Sequence, residues 1–188
     1  MTLGLPLDTQ FPGPPPRPIV RGQEASVHAL IDRCYREFGL ALNLDDECES
    51  HLHDPGASFR AGGGEFWVLT DGSGEVRATV AISLDRGASP PGAELKSLYV
   101  DPSWRRRGLG RALTLWVVEA ARVAGARELV LWSDTRFTPA HAMYESLGFA
   151  RFGRRDIADS NNSSEWGYRL GLGSPGASTP RSTRAPVE

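Results

Sequence analysis

The stretch Glu94-Leu95-Lys96-Ser97-Leu98-Tyr99-Val100-Asp101-Pro102-Ser103-Trp104-Arg105-Arg106-Arg107-Gly108-Leu109-Gly110-Arg111-Ala112 organises the chain. It reads as an apolar-rich strand, a short turn at Asp101-Pro102-Ser103, and a basic, glycine-containing loop that runs into a helix. The helix is legible because Leu113, Trp116, Val117, Ala120, Ala121 and Ala124 recur on one face, with Arg111, Glu119 and Arg122 off it. Gly125 ends it. Gly108 and Gly110 allow a tight turn and a close backbone approach to a ligand, so that successive N–H groups point outward at the positive end of the helix dipole. Arg105, Arg106, Arg107 and Arg111 add guanidinium groups suited to an anion. The whole reads as a phosphate cradle.

Two common cradles are excluded by their own chemistry. A Walker loop requires Gly-Lys-Ser/Thr at the helix entry, and here Gly110 is followed by Arg111-Ala112. A dinucleotide fingerprint requires Gly-x-Gly-x-x-Gly in the first strand-helix unit, whereas only Gly108-x-Gly110 is present, late in the chain. The order Arg105-x-x-Gly108-x-Gly110 after a strand carrying Glu94, with Ala140-x-x-x-Tyr144-Glu145-x-x-Gly148-Phe149 downstream, resembles the acyl-CoA-binding motifs of the GNAT family of N-acetyltransferases. The Arg105-x-x-Gly108-x-Gly110 pattern alone also fits an ordinary basic strand-to-helix turn, but the two motifs in this order are together specific. The resemblance covers roughly residues 18 to 171 by order of elements and is strongest from Glu94 to Phe149.

The resemblance implies an α/β fold: a central mixed sheet with splayed fourth and fifth strands and helices on both faces. It implies acetyl-CoA as cosubstrate, with the pantetheine along Leu98, Tyr99 and Val100 and the pyrophosphate on Arg106, Arg107, Gly108, Leu109, Gly110 and Arg111. Arg105 opens the motif, although its side chain can instead tie down the turn. Tyr144 is implied as the group at the cofactor sulfur, and Glu94, eleven positions before Arg105, as the general base. The alternative for Glu94 is a solvent-facing strand carboxylate beside Lys96; for Tyr144 it is a core tyrosine with its hydroxyl at the rim. Many family members carry asparagine where this chain has Phe137, whose ring cannot replace the amide; Thr138, Asp134 or Thr135 are candidates to compensate. The implied reaction is direct acetyl transfer to a primary amine of a small molecule or peptide in a ternary complex. A non-catalytic CoA-binding sensor or interaction module is the alternative. The acceptor groove implied by the family would draw on Asp45, Asp46, Glu47, Asn161, Asn162 and Glu165, groups that suit a cationic amine. The family's frequent dimers make a homodimer an expectation, with no interface named by the sequence.

A chain of 188 residues, 40% hydrophobic, is sized for one domain with a real core. The net charge of −2 conceals four arginines between 105 and 111 and an acidic group at Asp45, Asp46, Glu47 and Glu49. A general nucleic-acid binder is usually basic overall, so a phosphate-bearing small molecule is the simpler partner for the arginines. Cys34 and Cys48 lack metal-ligand or redox spacing, so no metal site or disulfide framework is expected. Neither a membrane-spanning run nor a signal-peptide pattern is evident, which makes a cytoplasmic protein the expectation and a membrane partner not one.

Proline enrichment marks residues 1–17 as a flexible tail, and residues 173–188 read as a second one, leaving residues 18–172 as the domain. Within it, Pro18 to Arg21 predicts a short strand, and Val27, Leu30, Ile31, Cys34 and Phe38 predict a helix stopped by Gly39. Residues 43–53 predict a second helix begun by Asn43 or Asp45. Gly62-Gly63-Gly64 reads as a flexible connection to a hairpin about Asp71-Gly72-Ser73-Gly74. A strand at Glu128 to Trp132 precedes a helix capped by Thr138 with Pro139 at its first position and closed by Gly148. Strands near 149–154 and 166–170 finish the domain. His28 and His141 read as helix-surface residues.

Overall fold

The computed structural model describes residues 11–173 apart from 88 and 90. The rest of the expected tails therefore lies outside the described residues. Seven strands form one sheet: β1 (Arg17–Pro18), β2 (Glu65–Thr70), β3 (Val76–Asp85), β4 (Gly92–Val100), β5 (Glu128–Asp134), β6 (Ala150–Asp156) and β7 (Ser164–Gly171), ordered β1-β2-β3-β4-β5-β7-β6. Every pair is antiparallel except β4 with β5.

Helices cover both faces because each buries a stripe of its own. On one face α1 (Glu24–Arg36) and α2 (Pro55–Ala61) pack Val27, Leu30, Ile31 and Phe59 against Phe66, Val68 and Ala81. On the other, α3 (Leu109–Val123) and α4 (Thr138–Ser146) pack Leu113, Val117, Ala120 and Tyr144 against Val80, Ile82, Leu95, Leu131 and Tyr168. Alternation along β3 and β4 feeds both cores at once, which is the pattern of a sheet buried on two sides.

The hairpin, the cradle helix and the late strands form where the sequence predicts them. The second helix does not. Residues 47–52 make a 3-10 turn, and the α-helix is α2, started by Asp54 accepting from the Ala57 amide at 2.9 Å with Pro55 at its first position. The acidic segment from Asp45 to Glu49 lacks an apolar stripe of helical spacing, whereas Asp54-Pro55 is a start signal in its own right. The first strand is displaced to Arg17–Pro18, although the Ile19 amide still donates to Phe66 O at 2.9 Å. Within the expected N-terminal tail, Pro16 is buried and Phe11 meets Trp116 edge-on, 6.3 Å between ring centres. Thr138 is the first residue of α4 and makes no side-chain cap; Phe137 holds the cap position. Gly64 is a steric requirement as well as a connector, since a Cβ there would stand 2.0 Å from Ile82 O.

Two local features shape the sheet. β4 bulges at Ser97: pairing with β3 runs Ala81 to Lys96 and then Thr79 to Tyr99, and Ser97 has φ 51°. Bulges increase strand twist. β4 pairs with β5 only from Ala93 to Leu95, opposite Leu129 to Leu131, while β5 pairs along its whole length with β7. Past Leu95 the two strands part, giving the gap that the resemblance implies.

At the end of β4, Asp101 is 2% exposed and gathers four donors. Ser103 gives its amide at 2.9 Å and its hydroxyl at 2.6 Å, Arg77 bonds at 3.2 Å, and Arg33 closes the set. Burial opposes ionisation, yet the Ser103 bonds and the Arg77 and Arg33 charges hold the carboxyl below its ordinary range. Asp101→Asn should cost about 1–3 kcal/mol of unfolding free energy in denaturant titration. Because the folded pKa is depressed, this contribution is complete above about pH 4 and is lost as pH falls through the folded value. The gap between wild type and variant should therefore close on acidification.

Candidate active site

The parting of β4 from β5 opens into a cleft of about 1070 Å³. Its size is at the upper end of small-molecule sites, about 300–1,000 Å³. The cradle forms one end. Gly108 has φ 78° immediately before α3, and Arg106, φ 62°, adopts the same left-handed region without being glycine. The first amide of this segment to find a protein acceptor is that of Ala112, on Gly108 O at 2.9 Å. Among the described residues the amides from Arg106 to Arg111 make no hydrogen bond, as expected of a free helix N-terminus. The Arg106 and Arg111 side chains line the cleft and are likewise unpaired among the described residues. These features fit a diphosphate-bearing ligand such as the CoA half of acetyl-CoA.

The arginines of the loop divide their work. Arg105 lines the cleft but is committed to structure, holding Glu37 through both terminal nitrogens at 2.8 and 2.9 Å and Val100 O at 3.0 Å. Arg107 turns away: it donates to Ser103 O at 3.2 Å, lies over the Trp104 ring at 5.9 Å, and does not line the cleft. Gly108, Leu109 and Gly110 line it, and a Cβ at Gly110 would come 3.3 Å from Met143 Sδ, so this glycine also lets α3 approach α4. Thr138 lies outside the lining; Phe137, Pro139 and Ala140 are in it.

At the middle of the cleft stand Leu98, Tyr99, Val100 and Tyr144. Tyr144 is 4% exposed, and its hydroxyl has no partner among the described residues. Burial first, then Tyr168, pushes this phenol well above its ordinary pKa, so it remains protonated at neutral pH. Leu98 sits beyond the last β4–β5 pair, where the strand edge has no β5 partner. Glu94 lines the cleft and lies 3.8 Å from Lys96 Nζ.

The far end was only partly legible. Of the expected acceptor groups, Glu47 and Glu165 line the cleft; Asp45, Asp46, Asn161 and Asn162 do not. Asp46 accepts from the Ser160 amide and hydroxyl at 3.0 and 2.6 Å, and Asn161 exchanges two bonds with the Ala41 backbone, at 3.1 and 2.9 Å. They latch the loop after α1 to the β6–β7 turn, a pairing across 114 to 120 residues that no local pattern announces.

Two residues missed by sequence reasoning are Glu49 and His51. His51 is pushed down to about 4 by burial and then by Lys96, so its ring is neutral. One nitrogen then donates and the other accepts. Nδ1 lies 3.1 Å from Cys48 O and must donate there, leaving Nε2 to accept from Ser97 Oγ at 3.2 Å. With Thr79 Oγ1 donating to Ser97 O at 2.8 Å, the bulge is pinned from both sides. Glu49 accepts from Tyr35 OH at 2.6 Å, and Tyr35 is 3.0 Å from Tyr99 OH. His141 is buried at 6% exposure, donating to Asp134 O at 3.0 Å, and His28 contacts Leu52 O at 2.8 Å; both are structural, and the surface reading of His141 is corrected. Among the described residues no group of metal-ligating side chains is assembled, and no helix is long and apolar enough to cross a membrane.

Comparisons with known proteins agree with this geometry. Residues 25–149 match the family model described as the Acetyltransferase (GNAT) family. N-acetyltransferase 8 of Homo sapiens is 29% identical over 121 residues, 64% of this chain and 50% of that protein. The mycothiol acetyltransferase of Nocardiopsis dassonvillei is 35% identical over 145 residues, 71% of this chain and 42% of that protein. The chain thus spans half or less of these two relatives. The crystal structure of a GNAT superfamily phosphinothricin acetyltransferase from Sinorhizobium meliloti, in complex with AcCoA, superposes with a TM-score of 0.65 at 19% identity, covering 92% of this chain and 95% of that one. With the family model spanning the cradle, the parted strands and the buried tyrosine together, the chain belongs to the GNAT acetyltransferase family.

Proposed function

We propose that this protein is an acetyl-CoA-dependent N-acetyltransferase that acts on a primary amine by direct attack in a ternary complex. The observation that carries the reading is the cleft itself, which joins a row of unpartnered amides at the start of α3 to the hydroxyl of Tyr144, a buried residue whose hydroxyl makes no hydrogen bond among the described residues. Acetyl-CoA, when bound, supplies a thioester-activated acetyl group. The amides of Arg106 to Arg111 and the Arg106 and Arg111 guanidinium groups bind its pyrophosphate, while Leu98, Tyr99 and Val100 pair with the pantetheine arm. Glu94 takes a proton from the incoming ammonium, directly or through water, since most alkyl amines are protonated at neutral pH. The unpaired edge of β4 near Leu98 offers N–H donors to the thioester oxygen. Tyr144 gives its proton to the departing sulfur. Phe137 stands where many relatives carry asparagine, so the contact to the cofactor arm falls to backbone or to neighbouring side chains. A cytoplasmic location accompanies this reading, as does the possibility of a homodimer.

The test is mass-spectrometric detection of labelled acetyl transfer from acetyl-CoA into a mixture of amine metabolites and peptides. Wild type should yield an acetylated amine, and Tyr144→Phe should lower kcat by about 100-fold or more, the usual scale of general acid–base catalysis. Acetyl-CoA binding without any acetylated product would overturn the enzyme reading in favour of a CoA-binding module. Since burial raises the Tyr144 pKa, the acid form persists on the alkaline side, and kcat should not fall through tyrosine ionisation up to about pH 9.

Replacing Arg111 by alanine removes a charge that lines the cleft at the first turn of α3. The Kd for acetyl-CoA should rise about 10-fold, the scale of one charge-assisted hydrogen bond, with little change in melting temperature. Isothermal titration with acetyl-CoA measures it; an unchanged Kd would remove Arg111 from the pyrophosphate site.

A further inference from the structure

The acceptor end of the cleft has a carboxylate to spare. Each cation near it is claimed by its own acid: Lys96 by Glu94 at 3.8 Å, Arg136 by Asp134 at 2.6 Å, and Arg155 by Glu165 at 2.6 Å. Glu49 makes no ion pair among the described residues, and the bond from Tyr35 is its one side-chain hydrogen bond there. Tyr99 donates to Tyr35, and Tyr35 donates to Glu49, since burial keeps both phenols protonated. A largely desolvated carboxylate without a cation is unfavourable unless a ligand completes it.

The rings grouped around Tyr35, the phenol that holds Glu49, carry no cation of the protein's own among the described residues. Phe137 packs on Tyr35 and Phe38, with ring centres 6.1 and 4.8 Å apart, and all three line the cleft. Elsewhere the protein's own guanidinium groups lie over its aromatic faces, including Arg155 over Trp132 at 4.3 Å on the opposite wall. None of the described arginines lies over Tyr35, Phe38 or Phe137. Aromatic faces beside a carboxylate suit an organic cation. The same cleft is lined by Tyr144, a residue 4% exposed whose hydroxyl makes no hydrogen bond among the described residues.

That cation is not the reacting nitrogen. The attacking amine must be neutral, and a neighbouring carboxylate that stays ionised holds an ammonium in its charged form. We propose that the acceptor is an alkyl diamine or polyamine, whose second, non-reacting ammonium group sits on Glu49 between Tyr35, Phe38 and Phe137 while its other nitrogen is acetylated. This inference rests on the N-acetyltransferase reading and names the substrate class of that site. The groups acting on Glu49 from the elements around it are Tyr35 on α1, Lys96 on β4, Asp159 in the β6–β7 turn and Glu165 on β7; burial, with the two carboxylates, raises its pKa, and a bound cation beside it reverses that shift. Two of these are further carboxylates, which adds to the attraction for a cation.

The experiment compares 1,4-diaminobutane with n-butylamine at fixed ionic strength, reading CoA thiol release and the acetylated product by mass spectrometry. Wild type should favour the diamine by about 10- to 100-fold in kcat/KM, the range of a charge-assisted contact, with the difference chiefly in KM. Glu49→Gln should bring the ratio close to one, with an unchanged Kd for acetyl-CoA as the check on folding. Phe137→Leu, which keeps the carboxylate and removes the ring, should also lower the ratio. Equal rates for the two amines in wild type, a ratio unaffected by Glu49→Gln, or exclusive acetylation of amines lacking a second positive charge would overturn the proposal and leave the N-acetyltransferase reading standing. If acetyl-CoA binds and no amine in any mixture is acetylated, that reading fails and this proposal falls with it.

Discussion

The separation of β4 from β5 is the constraint on which the rest of this structure depends. Parallel neighbours in the middle of a sheet normally pair along their length, because an unpaired strand edge leaves N–H and C=O groups without partners. Here pairing stops after Leu95 and Leu131, and the cause lies in the neighbours on either side. Ser97 bulges β4 and is held there by Thr79 and His51, while β5 stays with β7 from Glu128 to Asp134. One strand is twisted away and the other is retained. The β4 edge so exposed lines the cleft.

The cleft so formed is electrically two-ended. At the α3 end, Arg106, Arg111 and a set of free amides face the cavity, and the one neighbouring acid, Glu37, is occupied by Arg105. At the other end, acids outnumber bases, and the bases are paired. A diphosphate and a cation would be drawn to opposite ends of one cavity, with the reacting centre between them near Tyr144. Salt bridges on the exposed rim contribute little to stability. The ion pairs and hydrogen bonds at buried Asp101 and the hydrogen bonds of the Asp46–Ser160 latch matter because they fix the turn after β4 and the loop after α1.

Much of this was legible in local patterns. The amphipathic stripe of α3, the positive-φ glycines at 108 and 125, and the Asp71 to Gly74 hairpin follow from periods and turn chemistry that act over a few residues. Tyr144 and Glu94 could be singled out because their spacing from the glycine loop matches a family pattern, and both line the cleft. Arg107 shows the limit of such reasoning: consecutive residues entering a helix point in different directions, so a run of arginines cannot all face one ligand. Glu49 and His51 carried no signal, lying in an acidic segment that reads equally well as a solvated surface. Their importance comes from Tyr35, Tyr99 and Ser97, which are distant in sequence.

The sequence by itself determined most of the elements, though not the second helix, together with the cradle and the family, since these rest on hydrophobic periodicity, glycine conformation and short motifs that are encoded within a few turns of chain. Tertiary structure alone decided which charges remain free. An arginine or a glutamate has the same sequence symbol whether it is paired or not, and the pairing is set by contacts across 68 residues at Arg105 and Glu37, or 114 at Asp46 and Ser160. Only when the chain closes do those partners meet, and what they leave unpaired is the part of the surface that a ligand can use.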